Sequence, residues 1–395
     1  MIRYKKVFSA LLLIGVLWVG LHLYSYVCDT TEPVVSVAGV APDGCYAADL
    51  HAAVSTDKNG YLSIWVDNTP LMQDYYLKAV QQHTFSIPTQ TLPDGKHCLK
   101  VACTDTRYQK NSSETEVPFF VDNRPLQAAF VQDEPLKVLQ GRTLHVQFQV
   151  NKEIEKAHVR ALADTYTCFP ESKDGKVYEC YIPIDCEEKP NEYLFSVEVV
   201  DRVGNNITLD NKFQIVGFPF KKQHLAVDAQ KIKEEKEKGR LIAELEHEIA
   251  KLSKQSPPKK RWNGTFCTPI EIDRITCEYG TIRTTQERGR YMHKALDVIN
   301  HPKSVIWAPQ DGKVVLKDRF DFSGNTVIVD HGHGLLSLFY HLDDFADIQV
   351  GQKVAKGNPL GTLGKTGYAT GYHLHWEMRL NNMPVDPMQW TKETF

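Results

Sequence analysis

The stretch TGYHLHWEMRL, residues 370–380, decides how the C-terminal third of this chain is read. On a β-strand, successive side chains point to opposite faces, so His373 and His375 share one face while Leu374 turns to the other. Two imidazoles on one face of a mainly apolar strand are costly to bury without partners. The neighbouring segments GKVVLK (312–317), NTVIVD (325–330) and LLSLFYHL (335–342) also alternate or run apolar, with glycine-rich turns between them. Helical periodicity is absent until the last residues, so the region from about residue 259 is expected to be an antiparallel β-sheet domain.

His293 and Asp297 lie four residues apart and share a face on either a strand or a helical turn. With a histidine of the 373/375 pair they would supply nitrogen and oxygen donors to a zinc ion and leave a fourth position for water. Composition and spacing alone do not choose three ligands among His293, Asp297, His341, His373 and His375. His331 and His333 form a second HxH, but Gly332 and Gly334 place it in a turn, and His301 before Pro302 reads as a solvated loop residue. Glu377, two residues after His375, falls on the same strand face and is a candidate hydrogen-bonding carboxylate.

The region from about Trp262 to Trp390 resembles the lysostaphin-type family of zinc peptidoglycan endopeptidases. The resemblance rests on ITCEYGTIR (275–283), HKALD (293–297), APQDGKVV (308–315), GNTVIVDHGHG (324–334), LFYHL (338–342), VGQKVAKGNPLGTLGKTGYATGYHLHWE (350–377) and PVDP (384–387), in that order. It implies that His293, Asp297 and His375 are ligands of one zinc ion and that His341 and His373 are catalytic. The position of Ala295 more often carries glycine in the family, and a methyl group there removes no ligand. The function implied is hydrolysis of peptide bonds in bacterial peptidoglycan during cell-wall remodelling. Two alternatives are a non-catalytic activator of other wall hydrolases, which would have lost ligands, and an envelope peptidase acting on proteins.

Upstream of this region, KHCLKVACTDTRYQKNSSETEVPFFVDN (96–123) and EYLFSVEVVDRVGNNITLDNKFQIV (192–216) repeat one pattern. In each, an alternating strand reaches an aspartate, Asp105 or Asp201, followed by a polar turn and a second alternating strand. Such hairpins, with turn residues about every ten positions, predict two β-sandwiches, and the second copy resembles bacterial immunoglobulin-like domains. From Lys221 to Lys254 the composition turns to Lys, Glu, Ala and Leu, with Ile232, Leu241, Ile242, Leu245, Ile249 and Leu252 at three- and four-residue steps. That spacing predicts a charged helix with one apolar stripe packed on a neighbour.

At the N-terminus, Arg3, Lys5 and Lys6 precede an uncharged stretch from Val7 to Val27, long enough for a membrane-spanning helix with its basic end in the cytoplasm. Tyr24, Ser25, Tyr26 and Val27 suit neither a signal-peptidase nor a lipoprotein cleavage site. The expected class is therefore mainly β, in five parts: residues 1–28 a cytoplasmic tip and transmembrane anchor, 29–123 and 124–218 two Ig-like sandwiches, 219–258 a helical linker, and 259–395 the peptidase domain. The catalytic domain would lie outside the cytoplasmic membrane, in the periplasm or on the cell-wall side. Nine cysteines, all beyond the apolar stretch, fit an oxidising compartment in which Cys267 could join Cys277, and two of Cys168, Cys180 and Cys186 could pair. A net charge of −3 gives no basic surplus for nucleic acid. The expected partners are peptidoglycan, the membrane and a protein regulator meeting the linker or the sandwiches.

Overall fold

The computed structural model describes residues 2–131, 135–172, 175–224, 239–285 and 289–395. Strands dominate, and the chain divides into two compact units. The first runs through Pro125 and includes the Asp201–Asn205 turn; the second holds Leu126–Val200 and Asn206–Phe395.

In the first unit a helix, α1 (Ile2–Val27), precedes a three-stranded and a five-stranded sheet whose alternate residues, Val54, Leu62, Ile64, Leu99, Val101 and Phe119 among them, form one core. The expectation of a spanning helix is not supported: among the described residues no helix is long and apolar enough to cross a membrane. Within α1 only the side chains from Leu12 onward are described, fewer than the ~20 apolar residues that span a bilayer.

The repeated hairpin has a physical basis. Asp105 Oδ1 accepts the backbone N–H groups of Arg107 and Asn111, both at 3.1 Å, and Oδ2 accepts Asn111 Nδ2. Asp201 does the same for Val203 N, Asn205 N and Asn205 Nδ2, at 3.1, 2.8 and 3.0 Å. A buried aspartate thus replaces the strand ladder where the chain turns.

The second unit begins with a five-stranded and a four-stranded sheet that share a core of Val146, Phe148, Val159, Val197 and Phe213. The C-terminal sheet has eight strands: β1 (Arg274–Cys277), β2 (Leu296–Ile299), β3 (Gly312–Phe320), β4 (Gly324–Gly332), β5 (Leu335–Leu342), β6 (Lys353–Val354), β7 (Leu374–Leu380) and β8 (Met383–Val385). Their order is β1-β2-β7-β5-β4-β3-β6, with β8 against the end of β7. All of these pairings are antiparallel.

Alternation along β7 sends Leu374, Trp376, Met378 and Leu380 into a core with Phe339, Val327, Val329 and Trp390. His375, Glu377 and Arg379 therefore share the other face. Part of that face is covered by α2 (Gly239–Gln255), which packs Leu245, Ile249 and Leu252 against Ile328, Leu336, Leu338 and Tyr340. Glu246 of α2 meets Arg379 with both carboxylate oxygens, at 2.6 and 2.7 Å, and Arg379 Nε donates to Glu377 Oε1 at 2.6 Å. The apolar stripe thus packs on a neighbouring sheet, as its spacing implies. At the start of the predicted helix, Lys222–His224 instead forms a strand parallel to Ile282–Thr284, and residues 225–238 lie outside the described residues. Ile232 lies outside the described residues, as do the side chains of Leu241 and Ile242.

Tyr181, on the Val177–Pro183 strand, belongs to the same core as Trp262, Phe266 and Trp390. Its ring stacks on His145 at 4.9 Å and lies 5.6 Å from Trp262 and 6.1 Å from Trp390, while Lys260 Nζ reaches its hydroxyl at 2.9 Å. Tyr181→Ala removes a buried aromatic ring and is expected to cost about 3–5 kcal/mol of stability. A denaturant midpoint that stays at the wild-type position would show that this packing contributes little.

Beneath Tyr181, Glu179 is 1% exposed and takes hydrogen bonds from Lys260 Nζ (3.0 Å) and His145 Nε2 (3.3 Å). Burial alone would raise its carboxyl, but the bonds from His145 and Lys260 outweigh it and hold the pKa at about 2. Because the folded value is depressed, the stabilisation is complete above the unfolded value of about 4.5 and is lost as pH falls toward 2. Buried His331 and His333, both pushed down to about 4 chiefly by burial, act earlier, between about pH 6.5 and 4, where the unfolded chain takes up protons that the fold refuses. Glu179→Gln is therefore expected to flatten the decline below pH 4.5, which acid titration of the unfolding midpoint would reveal.

Candidate metal centre

Three strands and a hairpin bring the site together. β2 supplies Asp297, and β7 places His375 directly opposite it. His293 ends the Gly289–His293 strand, paired with Thr281–Thr285. His375 Nδ1 lies 2.8 Å from Asp297 Oδ1, and His293 Nε2 lies 3.1 Å from the same oxygen. The second contact is misaligned for a hydrogen bond, so His293 Nε2 is a buried polar atom without a hydrogen-bond partner. The imidazoles of His293 and His375 meet edge to face at 5.1 Å.

Burial, and after it the charges of His375 and Arg283, outweigh the attraction of Asp297 and lower the His293 pKa. The ring is thereby kept neutral, the form in which imidazole ligates metal. Asp297 goes the other way. Burial opposes its ionisation, yet the adjacent His293 and His375 imidazoles, the latter hydrogen-bonded at 2.8 Å, hold its carboxyl well below the ordinary range. The His375 imidazole, a carboxylate oxygen and the orphaned buried Nε2 of His293 fit a divalent ion of zinc type.

Next to this group, His341 leaves β5 with φ = 64°, a left-handed conformation that a side chain rarely adopts. Its N–H donates to Ser323 O and its Nδ1–H to Thr366 O, at 2.8 and 2.9 Å. That tautomer leaves Nε2 as an open acceptor. Burial, then the neighbouring His375 and His373, push the His341 pKa down to about 3, so the base is free at neutral pH. His373 donates from Nδ1 to Gly371 O at 2.9 Å, and its ring lies 4.8 Å from that of His341. All five residues singled out in the sequence therefore meet in one place.

The remaining histidines separate from them. His331 is fully buried and satisfied by Asp311 O and Ser337 Oγ, and His333 stacks on Phe169 at 3.8 Å. His301 is exposed. Glu377 does not reach an imidazole. It pairs with Arg379 and meets the Tyr340 hydroxyl at 3.5 Å, and the Tyr340 ring in turn stacks on His375 at 5.1 Å.

Sequence reasoning missed Arg283, whose guanidinium reaches His293 Nδ1 at 3.1 Å and Asp297 Oδ2 at 3.5 Å from behind. Only its place in ITCEYGTIR, on a strand paired with the His293 strand, could have pointed to it. Cys277 was read as a disulfide partner, which the structure corrects. Its thiol contacts Glu278 O while Cys267 turns to Pro309 O, and Cys168, Cys180 and Cys186 are thiols as well.

A model of peptidase family M23 matches residues 291–387, a span that takes in His293, Asp297, His341, His373 and His375. The C-terminal region carries an M23 domain. It is 35% identical over 120 residues to the DD-carboxypeptidase/endopeptidase Mpg of Neisseria meningitidis, covering 30% of this chain and 27% of that protein. It is 30% identical over 121 residues to the peptidoglycan DD-endopeptidase ShyC of Vibrio cholerae, covering 30% and 28%. The chain thus spans little more than a quarter of these relatives' length. A solved structure of a putative M23 peptidase from Pseudomonas aeruginosa matches with 25% identity over 66% of this chain and 96% of that one, with a TM-score of 0.47.

Proposed function

We propose that the chain is a zinc-dependent endopeptidase that cuts peptide bonds of bacterial peptidoglycan. The observation that supports it most directly is the convergence of His293, Asp297 and His375 beside an open Nε2 on His341. In this reading the first three hold one zinc ion, which when bound polarises the scissile carbonyl and makes water nucleophilic near neutral pH. His341 Nε2, kept unprotonated by burial, accepts a proton from the attacking water. His373 presents its own Nε2, which when protonated donates to the oxyanion or the leaving amine. Tyr340 and Arg283 hold the rings and the carboxylate in place.

Retention of all three ligand residues argues against an activator that has lost its chemistry. The names of the matched relatives favour peptidoglycan over protein as substrate. Purified wall sacculi should release new muropeptides whose masses report the bond cut, whereas casein should stay intact. Cleavage of casein with intact sacculi would transfer the reading to protein substrates.

The two β-sandwich regions serve in this reading as immunoglobulin-like spacers, and residues 1–27 as a membrane anchor that holds the peptidase outside the cytoplasm. Mass spectrometry of membrane-extracted protein should find those residues retained. An N-terminus at or after Cys28 would remove the anchor.

A further inference from the structure

Cys277 ends β1 directly opposite Asp297, and residues opposed across an antiparallel pair project from the same face. It is 4% exposed. One ligand atom from each of Cys277, His293 and Asp297 lies within 4.8 Å of the other two. A tetrahedral zinc site with bonds of about 2.3 Å to sulfur and 2.0 Å to nitrogen or oxygen sets neighbouring donors about 3.5 Å apart. These three donors therefore need to close by about 1.3 Å at most. His293 Nε2 is buried and lacks a hydrogen-bond partner. Arg283 contacts both His293 and Asp297, so one cation backs two of the three donors.

We propose that Cys277 is a further protein ligand of the ion held by His293, Asp297 and His375, its thiolate competing with water for the fourth position. This inference rests on the metal reading above and deepens it. Binding releases the thiol proton to solvent, as thiolate ligation requires. A site closed by four protein ligands resembles structural zinc centres, whereas catalytic ones keep a position open. With the thiolate bound the site holds its ion but cannot activate water, and exchange of the thiolate for water opens it. Cys267, whose sulfur faces the Ala308 and Pro309 carbonyls, takes no part and serves as the internal control.

The full chain loaded with Co2+ separates the possibilities without reference to activity. Visible d–d bands report that the ion is bound, and a near-ultraviolet sulfur-to-cobalt charge-transfer band reports a thiolate ligand. The wild type is expected to show both, Cys267→Ser both, and Cys277→Ser the visible bands with the charge-transfer band lost. Visible bands in the wild type without the charge-transfer band, or a band that persists in Cys277→Ser, would overturn the role of Cys277 and leave the metal site standing. Absence of visible bands from the wild type would overturn both.

Discussion

Asp297→Ala is expected to leave the protein without bound zinc and without activity. The carboxylate is the hub of the site: one oxygen lies 2.8 Å from His375 Nδ1 and 3.1 Å from His293 Nε2, and the other faces Arg283. Removing it takes away the only anionic donor among the three residues assigned as ligands and leaves Arg283 without its carboxylate partner. Metal content measured on the purified variant should fall from about one ion per chain to near zero, and hydrolysis of sacculi should drop by roughly 1,000-fold or more, because water near neutral pH is a poor nucleophile without the ion. His375→Ala is expected to behave alike. A variant lacking Asp297 that still bound a full complement of zinc would end the assignment of this carboxylate as a ligand.

His341→Ala divides the two quantities. Its ring lies 4.8 Å from that of His373 and 6.1 Å from that of His375, and its Nδ1–H is committed to Thr366 O. Loss of a positioned base costs about 100- to 10,000-fold in rate. Activity should fall by roughly that factor while zinc content stays near one per chain. Truncation also relieves no constraint on β7, so the ligand strand should keep its geometry. Zinc lost as fully as in the Asp297 variant would make His341 a ligand, and full activity would remove it from the chemistry.

The site was legible because its spacing rules are local. Period two on β7 fixes His375 and Glu377 relative to Leu374 whatever the rest of the chain does, while His373 stands just before the strand. The hairpins were legible for the same reason, since Asp105 and Asp201 satisfy their own turns from within a few residues. Arg283 and Cys277 were not, because their roles arise from strand pairings about 10 to 20 residues away in sequence that periodicity does not reveal. The start of the linker helix was misread because Lys222–His224 gains a parallel partner strand, and a tertiary ladder overrides helical composition. The cysteines show the limit of compartment arguments. Nine cysteines and short spacings do not decide whether two sulfurs face each other.

The contacts of Tyr181, Gln389 and Lys260 have a consequence for melting behaviour. Gln389 Oε1 accepts Thr143 N at 2.7 Å and its Nε2 donates to Thr143 O at 3.0 Å, a backbone-like pair closed by two buried residues 246 positions apart in sequence. Tyr181 sits inside the aromatic cluster of Trp262, Phe266 and Trp390. The sandwich that begins at Leu126 and the M23 domain are therefore joined through Tyr181 and the Thr143–Gln389 pair and are expected to unfold together, in a single calorimetric transition. A chain cut to begin at Lys259 would expose the tryptophans that Tyr181 covers and leave Gln389 unpaired. Measured alone, such a fragment would report a lower melting temperature than the domain has in the intact protein, and recombination among relatives that exchanged the peptidase without its sandwich would inherit the same defect.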